Sequence, residues 1–474
     1  VIEKPVLWTA EEVAAAVGGA GDPASWRATG VSIDSRTVTP GDLFVALRGP
    51  SFDGHDFVAR AFEAGAVAAL VSRPPPLVRG PLVIVDDTLT ALQTLGRAGR
   101  ERSKAKVIAI TGSVGKTGTK EALATCLAGQ APTYATAGSL NNHWGVPLSL
   151  ARLPADCRYG VFELGMNHVG EIGPLARLVR PDVGVITTIE PAHMEFFASL
   201  EAVADAKAEL FEGMTASGIA VLNGDNGQFG RLAAAARARG LERIWSFGSD
   251  PRAEARVLEC SIQATGSIVA AKINGEPGSY CVSLPGRHWV INSLAVLLAV
   301  VAAGADPQAA ARSLCTLTPV KGRGSRRQVQ LTQGSFTLID ESYNASPAAM
   351  TAAFQVLAQT DPGAGGRRIA VLGDMLELGD HADAYHAGLA DPLLAAGVDL
   401  VFCCGEHAAA LAERLPPAVR GGWTGDSAAL APLAAGAVRN GDVVLVKGSA
   451  GSRMTRVVTA LAGAAGGERS DHAL

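Results

Sequence analysis

The stretch Val107-Ile108-Ala109-Ile110-Thr111-Gly112-Ser113-Val114-Gly115-Lys116-Thr117 decides the architecture of this chain. Its first five residues read as a strand buried on both faces. A glycine-rich turn follows, and Lys120–Ala128 beyond it has helical character. Glycines let backbone N–H groups curl around phosphate oxygens. The helix N-terminus adds partial positive charge, Lys116 a point charge, and the Thr117 hydroxyl a Mg²⁺ ligand. The strict pattern wants glycine five residues before Gly115, where this chain has Ile110; the loop is therefore a shortened variant that opens at Gly112. A plain glycine turn is the alternative. The Gly-Lys-Thr ending favours nucleotide binding by Gly112, Ser113, Val114, Gly115, Lys116, Thr117 and Gly118. The motif predicts phosphate binding without naming a reaction.

Working outward, short apolar runs recur, each followed by a helical stretch. Strands are expected at residues 43–47, 66–71 and 82–85, then 107–111, 160–164, 183–188 and 219–223, then 336–340, 368–372, 400–404 and 443–447. Helices are expected at 57–64, 170–178, 200–214 and 292–304, with a β-rich, irregular region at 252–284. This alternation implies parallel sheets covered on both faces. The polar, basic segment Arg97–Lys106 and the glycine-basic segment Lys321–Arg327 read as junctions. The expected fold is α/β in three domains, in line with about 150 residues per domain. Residues 1–101 form a smaller N-terminal α/β domain, 102–320 a central P-loop parallel-sheet domain, and 321–474 a C-terminal Rossmann-like α/β domain. Ligands in open parallel sheets bind beyond the carboxyl ends of strands. Glu163, Glu190, His193, Asn223, Asp225, Asp340, Asn344, Asp374, Lys447 and Ser449 all fall there.

Composition excludes several classes. Hydrophobic residues make up 48% and charged residues 18%, enough apolar material for real cores rather than disorder. A net charge of −4 gives no broad basic footprint for nucleic acid or an anionic membrane. The longest apolar run, Leu294–Ala305, is shorter than the roughly 18–20 residues that span a bilayer. Val1 to Trp26 lacks the pattern of a signal peptide. The seven cysteines are scattered without a Cys-x-x-Cys pair. They read as small apolar fillers in a reduced, cytoplasmic protein.

The shortened loop resembles that of the Mur ligase family, and further segments extend the likeness in order along the chain. Ser139-Leu140-Asn141-Asn142-His143-Trp144-Gly145-Val146-Pro147-Leu148 is similar to a family segment, as is Phe162-Glu163-Leu164-Gly165-Met166-Asn167-His168. So are Asp340-Glu341-Ser342-Tyr343-Asn344-Ala345-Ser346-Pro347, Gly373-Asp374-Met375-Leu376-Glu377-Leu378-Gly379 and Val446-Lys447-Gly448-Ser449. Two residues depart from the pattern: Ser346 stands where asparagine is usual, and Trp289 follows His288 where asparagine often does.

The resemblance implies an ATP-dependent amide ligase of peptidoglycan precursor synthesis. It would join D-alanyl-D-alanine to a UDP-N-acetylmuramoyl tripeptide through an acyl phosphate. Lys116, Glu163, His193 and Lys207 would be catalytic. ATP would also meet His288, Asn292, Arg323, Asp340, Tyr343 and Asn344. Ser35, Arg36, Asn141, Asn142, Lys447 and Ser449 would meet the other substrates. Two Mg²⁺ ions would be held by Thr117, Glu163, His193 and a CO₂-derived carbamate on Lys207. Carbamylation needs the neutral amine, and burial among Ala204, Ala206 and Ala208 would favour it. Read alone, Lys207 is an ordinary solvated lysine and His193 a structural one. Asp53-Gly54-His55 looks like a UDP-sugar element but is also common turn chemistry. His386 resembles a family histidine, with no role evident from its neighbours. A monomer without membrane insertion or nucleic-acid binding is expected. Three alternatives remain: the family member that adds the diamino acid, whose Asp-Asn-Pro-Arg segment is absent here; a folylpolyglutamate synthase, which lacks the N-terminal region; and a P-loop kinase or regulatory NTPase.

Overall fold

The computed structural model describes residues 5–21, 25–76 and 78–463; residues 1–4 and 22–24 of the segment read for a signal peptide, and 464–474 of the expected C-terminal domain, lie outside them. At its centre is a nine-stranded sheet in the order Thr133–Ala135, Tyr159–Glu163, Lys106–Thr111, Val183–Ile186, Ile219–Asn223, Arg243–Gly248, Ala255–Gln263, Gly266–Ile273, Glu276–Val282. The first seven run parallel and the last two add antiparallel steps. Successive side chains of a strand point to opposite faces. Ile108 and Ile110 accordingly pack with helices Lys116–Ala128 and Arg287–Ala302, while Val107 and Ala109 pack with helices Ile172–Val179 and Leu200–Ala208. The chain first adds strands to one side of Lys106–Thr111 and then crosses to the other. The phosphate-binding loop thus leaves the sheet at a topological switch point, where a crevice opens.

Two smaller sheets flank this one. Residues from 20 to 84 build a five-stranded sheet, parallel except for its Ala20–Gly21 edge. Residues from 325 to 447 build a six-stranded sheet in the order Ser325–Gln330, Ser335–Glu341, Val443–Lys447, Arg368–Gly373, Leu400–Cys404, Arg420–Thr424, parallel after its first pair. No helix among the described residues is long and apolar enough to cross a membrane. The apolar run at Leu294–Ala305 falls largely within helix Arg287–Ala302, which is buried against the central sheet.

Several expectations need correction. Arg97–Arg102 is not a loose junction but the last turns of helix Thr88–Arg102. Its arginines hold distant backbone: Arg100 Nε donates to the Val179 carbonyl at the end of helix Ile172–Val179 at 2.8 Å, and Arg102 Nη1 to the Leu7 carbonyl at 2.6 Å. Ser325–Arg327, read as linker, begins an edge strand paired with Ser335–Glu341. The helix expected from Asn292 starts at Arg287, so His288 and Asn292 lie inside it. The helix expected to Met214 tightens into a 3₁₀ turn at Glu209–Gly213. Cys281 and Cys315 are not fillers but are joined by a disulfide, their Cα atoms 5.0 Å apart. A separation of 34 residues carries no sequence signal for that pairing. Cys126, Cys157, Cys403 and Cys404 are buried and free, as fillers should be.

The N-terminal unit seats on the central one through two glycines of helix Thr88–Arg102. A Cβ on Gly96 would lie 2.8 Å from the Pro147 carbonyl oxygen, and one on Gly99 would collide with that of Leu150. Both contacts are backbone of helix Gly145–Ala151, so neither can swing aside. Gly96→Val and Gly99→Ala should therefore destabilise by about 1–3 kcal/mol through overpacking, despite a gain of about 1 kcal/mol in helix propensity. Urea unfolding checks this; a midpoint at or above that of the parent would contradict the packing account.

Candidate active site

The phosphate-binding loop is held in shape before any ligand arrives. Gly112 and Gly115 take φ of +145° and +86°, conformations that side chains resist. Ser113 Oγ donates to the Glu190 carbonyl at 2.9 Å and accepts from the Glu190 N–H at 3.0 Å. Thr187 Oγ1 donates to the Val114 carbonyl at 2.6 Å. Lys116 folds back on the loop, its Nζ donating to the Gly112 carbonyl at 2.7 Å. Burial lowers the pKa of Lys116, against the pull of nearby Glu163. Gly118 leaves room for the Trp289 indole, which lies 2.8 Å from where a Cβ would stand.

Glu163 ends its strand and is 1% exposed. Its Oε1 accepts from Asn141 Nδ2 at 2.7 Å, while its buried Oε2 has no protein partner. A buried carboxylate oxygen left bare is costly unless something else pairs with it. With the Thr117 hydroxyl on the adjoining loop, it offers hard oxygen ligands of the kind Mg²⁺ selects. These residues fit such an ion. Among the described residues there is no group of three or more His, Cys, Asp or Glu arranged around a metal. Lys207 is 1% exposed, and its pKa is pushed well below the usual value, first by burial and then by Lys116. The solvated reading of this lysine is therefore incorrect.

A cavity of about 710 Å³ opens over the loop, large enough for an extended ligand. Its walls come from both the central and the C-terminal units. Ser113–Gly118, Asn141, Glu163, His193, His288 and Asn292 line one side; Arg323, Tyr343, Asn344, Lys447 and Ser449 line the other. Gly112, Lys207, Asp340 and Asn142 do not line it, nor do Ser35 and Arg36. Asp340 turns to Ser342, accepting from its N–H at 3.0 Å and its hydroxyl at 2.6 Å. Asn142 Oδ1 accepts from the Gly145 N–H at 2.9 Å and so caps a helix. Arg36 is paired with Asp34 at 2.7 Å on the surface. His55 bridges Asp53 and Ser72, a turn-holding network. Ser346 caps helix Pro347–Ala358, which accounts for one departure from the family pattern.

Contacts between the units meet at this cavity. Tyr343 Oη donates to Ser139 Oγ at 2.6 Å, with the Arg323 guanidinium 4.1 Å from the Tyr343 ring centroid. His193 Nδ1 bonds to the Glu377 carboxylate, and the Glu195 N–H donates to the Glu377 carbonyl at 3.2 Å. His193 and Glu377 both have left-handed backbone, φ +59° and +64°, a strain of about 1–3 kcal/mol each. Lys447 Nζ is buried between Glu341 Oε2 at 3.2 Å and the Asn344 carbonyl at 2.9 Å. Sequence reasoning missed Glu377, Glu341 and Ser139 as site residues. Their signal was weak: each lay inside a quoted segment, with no pattern separating it from its neighbours.

His386 has a role in the structure. Its Nε2 accepts from the Met375 N–H at 2.9 Å, so Nδ1 carries the proton donated to the Ala382 carbonyl at 2.7 Å. It thereby pins the loop that presents Glu377. Burial pushes its pKa down, outweighing the Ala382 carbonyl and Asp374. The folded protein therefore takes up this proton at lower pH than the unfolded chain, which does so below about 6.5. Stability should thus fall as pH drops from about 6.5 toward the folded value, by at most about 1.4 kcal/mol per pH unit for this group. Urea midpoints across pH 7.5 to 5.5 should show a shallower decline in His386→Gln; an identical decline would rule out this contribution.

Known proteins echo the geometry. The chain matches the Mur ligase family catalytic domain over residues 27–99, the Mur ligase middle domain over 110–300, and the Mur ligase glutamate ligase domain over 322–450. It is 39% identical to the UDP-N-acetylmuramoyl-tripeptide–D-alanyl-D-alanine ligase of Escherichia coli, covering 91% of this chain and 93% of that one. The crystal structure of MurF from Acinetobacter baumannii superposes with a TM-score of 0.83 at 30% identity, covering 96% and 98% of the two chains. MurF from Thermotoga maritima in complex with ADP gives a TM-score of 0.75 at 27% identity, covering 92% and 97%. With all three family domains matched in order and kinship across nine-tenths of its length, the chain belongs to the Mur ligase family.

Proposed function

We propose that the protein is an ATP-dependent ligase that joins D-alanyl-D-alanine to the tripeptide carboxylate of UDP-N-acetylmuramoyl tripeptide, in peptidoglycan precursor synthesis in the cytoplasm. The observation that carries this reading is the two-sided cavity. A phosphate-binding loop and a buried carboxylate with a bare oxygen form one wall, and a second α/β unit forms the other. A one-substrate NTPase needs no such second wall. The names of the Escherichia coli and Acinetobacter relatives supply the substrates.

In this reading residues 1–101 hold the UDP-sugar, 102–320 hold ATP, and 321–474 hold the dipeptide. A tripeptide carboxylate oxygen attacks the γ-phosphorus and ADP leaves. The dipeptide amine then attacks the acyl carbon, loses a proton, and phosphate departs with the former carboxylate oxygen. Lys116, released from its loop carbonyls, follows the charge on the transferring phosphoryl group. The loop N–H groups orient the phosphates. Thr117 and Glu163 would hold Mg²⁺, which would screen the repulsion between the two anionic reactants. The Arg323–Tyr343 pair and Lys447 bring the C-terminal unit over the cavity. Closure excludes water, which would otherwise hydrolyse the acyl phosphate. Lys207, whose burial favours the neutral amine, is where CO₂ would form a carbamate, and this would supply a further anionic ligand. His193 would offer its other ring nitrogen to a second ion, Nδ1 being taken by Glu377.

Two measurements test this. Oxygen-18 placed in the tripeptide carboxylate should appear in the liberated phosphate. Its absence, or ADP release that needs only a single hydroxyl substrate, would favour a kinase. Lys207→Ala should lose most of the activity, because it removes an anionic ligand outright, and formate should restore part of it. A fully active Lys207→Ala enzyme would remove the carbamate from the scheme.

A further inference from the structure

Lys120 is completely buried, and the scheme above makes no use of it. It lies four residues beyond Lys116 on helix Lys116–Ala128, so the two share a helix face. Its Nζ donates to the Thr136 carbonyl at 2.7 Å and the Gly138 carbonyl at 2.9 Å, and pairs with Glu121 Oε1 at 2.7 Å. A lysine has three N–H donors. Two hydrogen bonds and an ion pair thus engage the ammonium within the protein.

The segment that Lys120 grips leads directly to the chemistry. The Thr136 N–H extends the sheet by donating to the Val161 carbonyl at 2.9 Å. Gly138 then turns with φ +54°. Ser139 receives the Tyr343 hydroxyl from the C-terminal unit. Asn141 donates to Glu163 Oε1, and its carbonyl accepts from the Gly165 N–H at 2.8 Å. The geometry points to Lys120 as a positioning residue: it clamps residues 136–141 to the phosphate-binding helix, so that Asn141 holds the Glu163 carboxylate in one orientation and leaves its second oxygen for a cation. This rests on the reading of Glu163 as a cation ligand. A lysine that merely filled space would stabilise the fold without affecting cation binding.

The test uses the full chain with Lys120→Met, Lys120→Arg, Asn141→Ala and the Lys120→Met/Asn141→Ala pair. Mn²⁺ titration followed by electron paramagnetic resonance in the presence of ADP reads cation affinity. Amide hydrogen exchange without metal reads residues 136–142. Lys120→Met should weaken Mn²⁺ about tenfold, within the range for groups that orient metal ligands, and speed exchange in that segment selectively. The double variant should be no weaker than the worse single variant by more than about twofold, as expected for residues acting in series. Lys120→Arg keeps charge and donors; if the methionine variant fails to fold, the arginine variant decides, with faster exchange at 136–142 and partial loss of affinity expected. Parent-like affinity and exchange in a folded Lys120 variant, or effects that multiply in the pair, would overturn the clamp. Glu163→Gln separates the two readings. Unchanged Mn²⁺ affinity there removes the cation site itself, whereas a weakened Glu163→Gln beside an unaffected Lys120 variant removes the clamp alone.

Discussion

Desolvated charge at the carboxyl end of one parallel sheet is the constraint on which the rest of this structure depends. Glu163 and Lys207 are withdrawn from water around a single loop, and Lys116 is partly so. Burying charge costs several kcal/mol per ion unless it is paired and hydrogen-bonded. Here the pairing is incomplete. Lys116 leans on loop carbonyls, Glu163 keeps one bare oxygen, and Lys207 responds to burial by favouring its neutral form. A polyanion with its counter-cations is the kind of ligand that completes such a set. The large apolar sheet and the helices on both its faces tolerate this local deficit.

The second constraint is that the cavity has two owners. The central unit supplies the loop and Glu163, and the C-terminal unit supplies Arg323, Tyr343, Glu377 and Lys447. The units meet there through a few hydrogen bonds, Tyr343 to Ser139 and Glu377 to His193 among them. Single hydrogen bonds contribute about 1 kcal/mol each, so the contacts that close the cavity are small beside the cores that hold each unit together. This suits a reaction that must admit three substrates and release three products.

Most buried parallel strands were legible because they demand continuous apolar runs, whereas Thr133–Ala135, Arg243–Gly248 and Arg420–Thr424, which are more exposed, were not. Ile219–Asn223, Leu400–Cys404 and Val443–Lys447 match their expected bounds to the residue. Helix Thr88–Arg102 was misread at its end because Arg97, Arg100 and Arg102 look like linker charge; only the carbonyls of Leu7 and Val179, distant in sequence, show two of them to be bound to backbone. Asn142 and Asp340 illustrate the converse. Polar residues within a suggestive segment can be used up by local geometry, one as a helix cap and the other in a turn. The disulfide between Cys281 and Cys315 left no trace in composition or spacing, because it joins a strand end to a helix end brought together by packing.

The sequence by itself determined the strand–loop–helix at Val107–Thr117, the alternation that makes the sheets parallel, and the family, because these depend on local order along the chain. Tertiary structure decided which residues of that inventory face one another. It set Glu377 against His193, Asn141 against Glu163, and Lys207 beside Lys116. Those relations depend on distance and desolvation between segments far apart in the chain, and periodicity does not encode them.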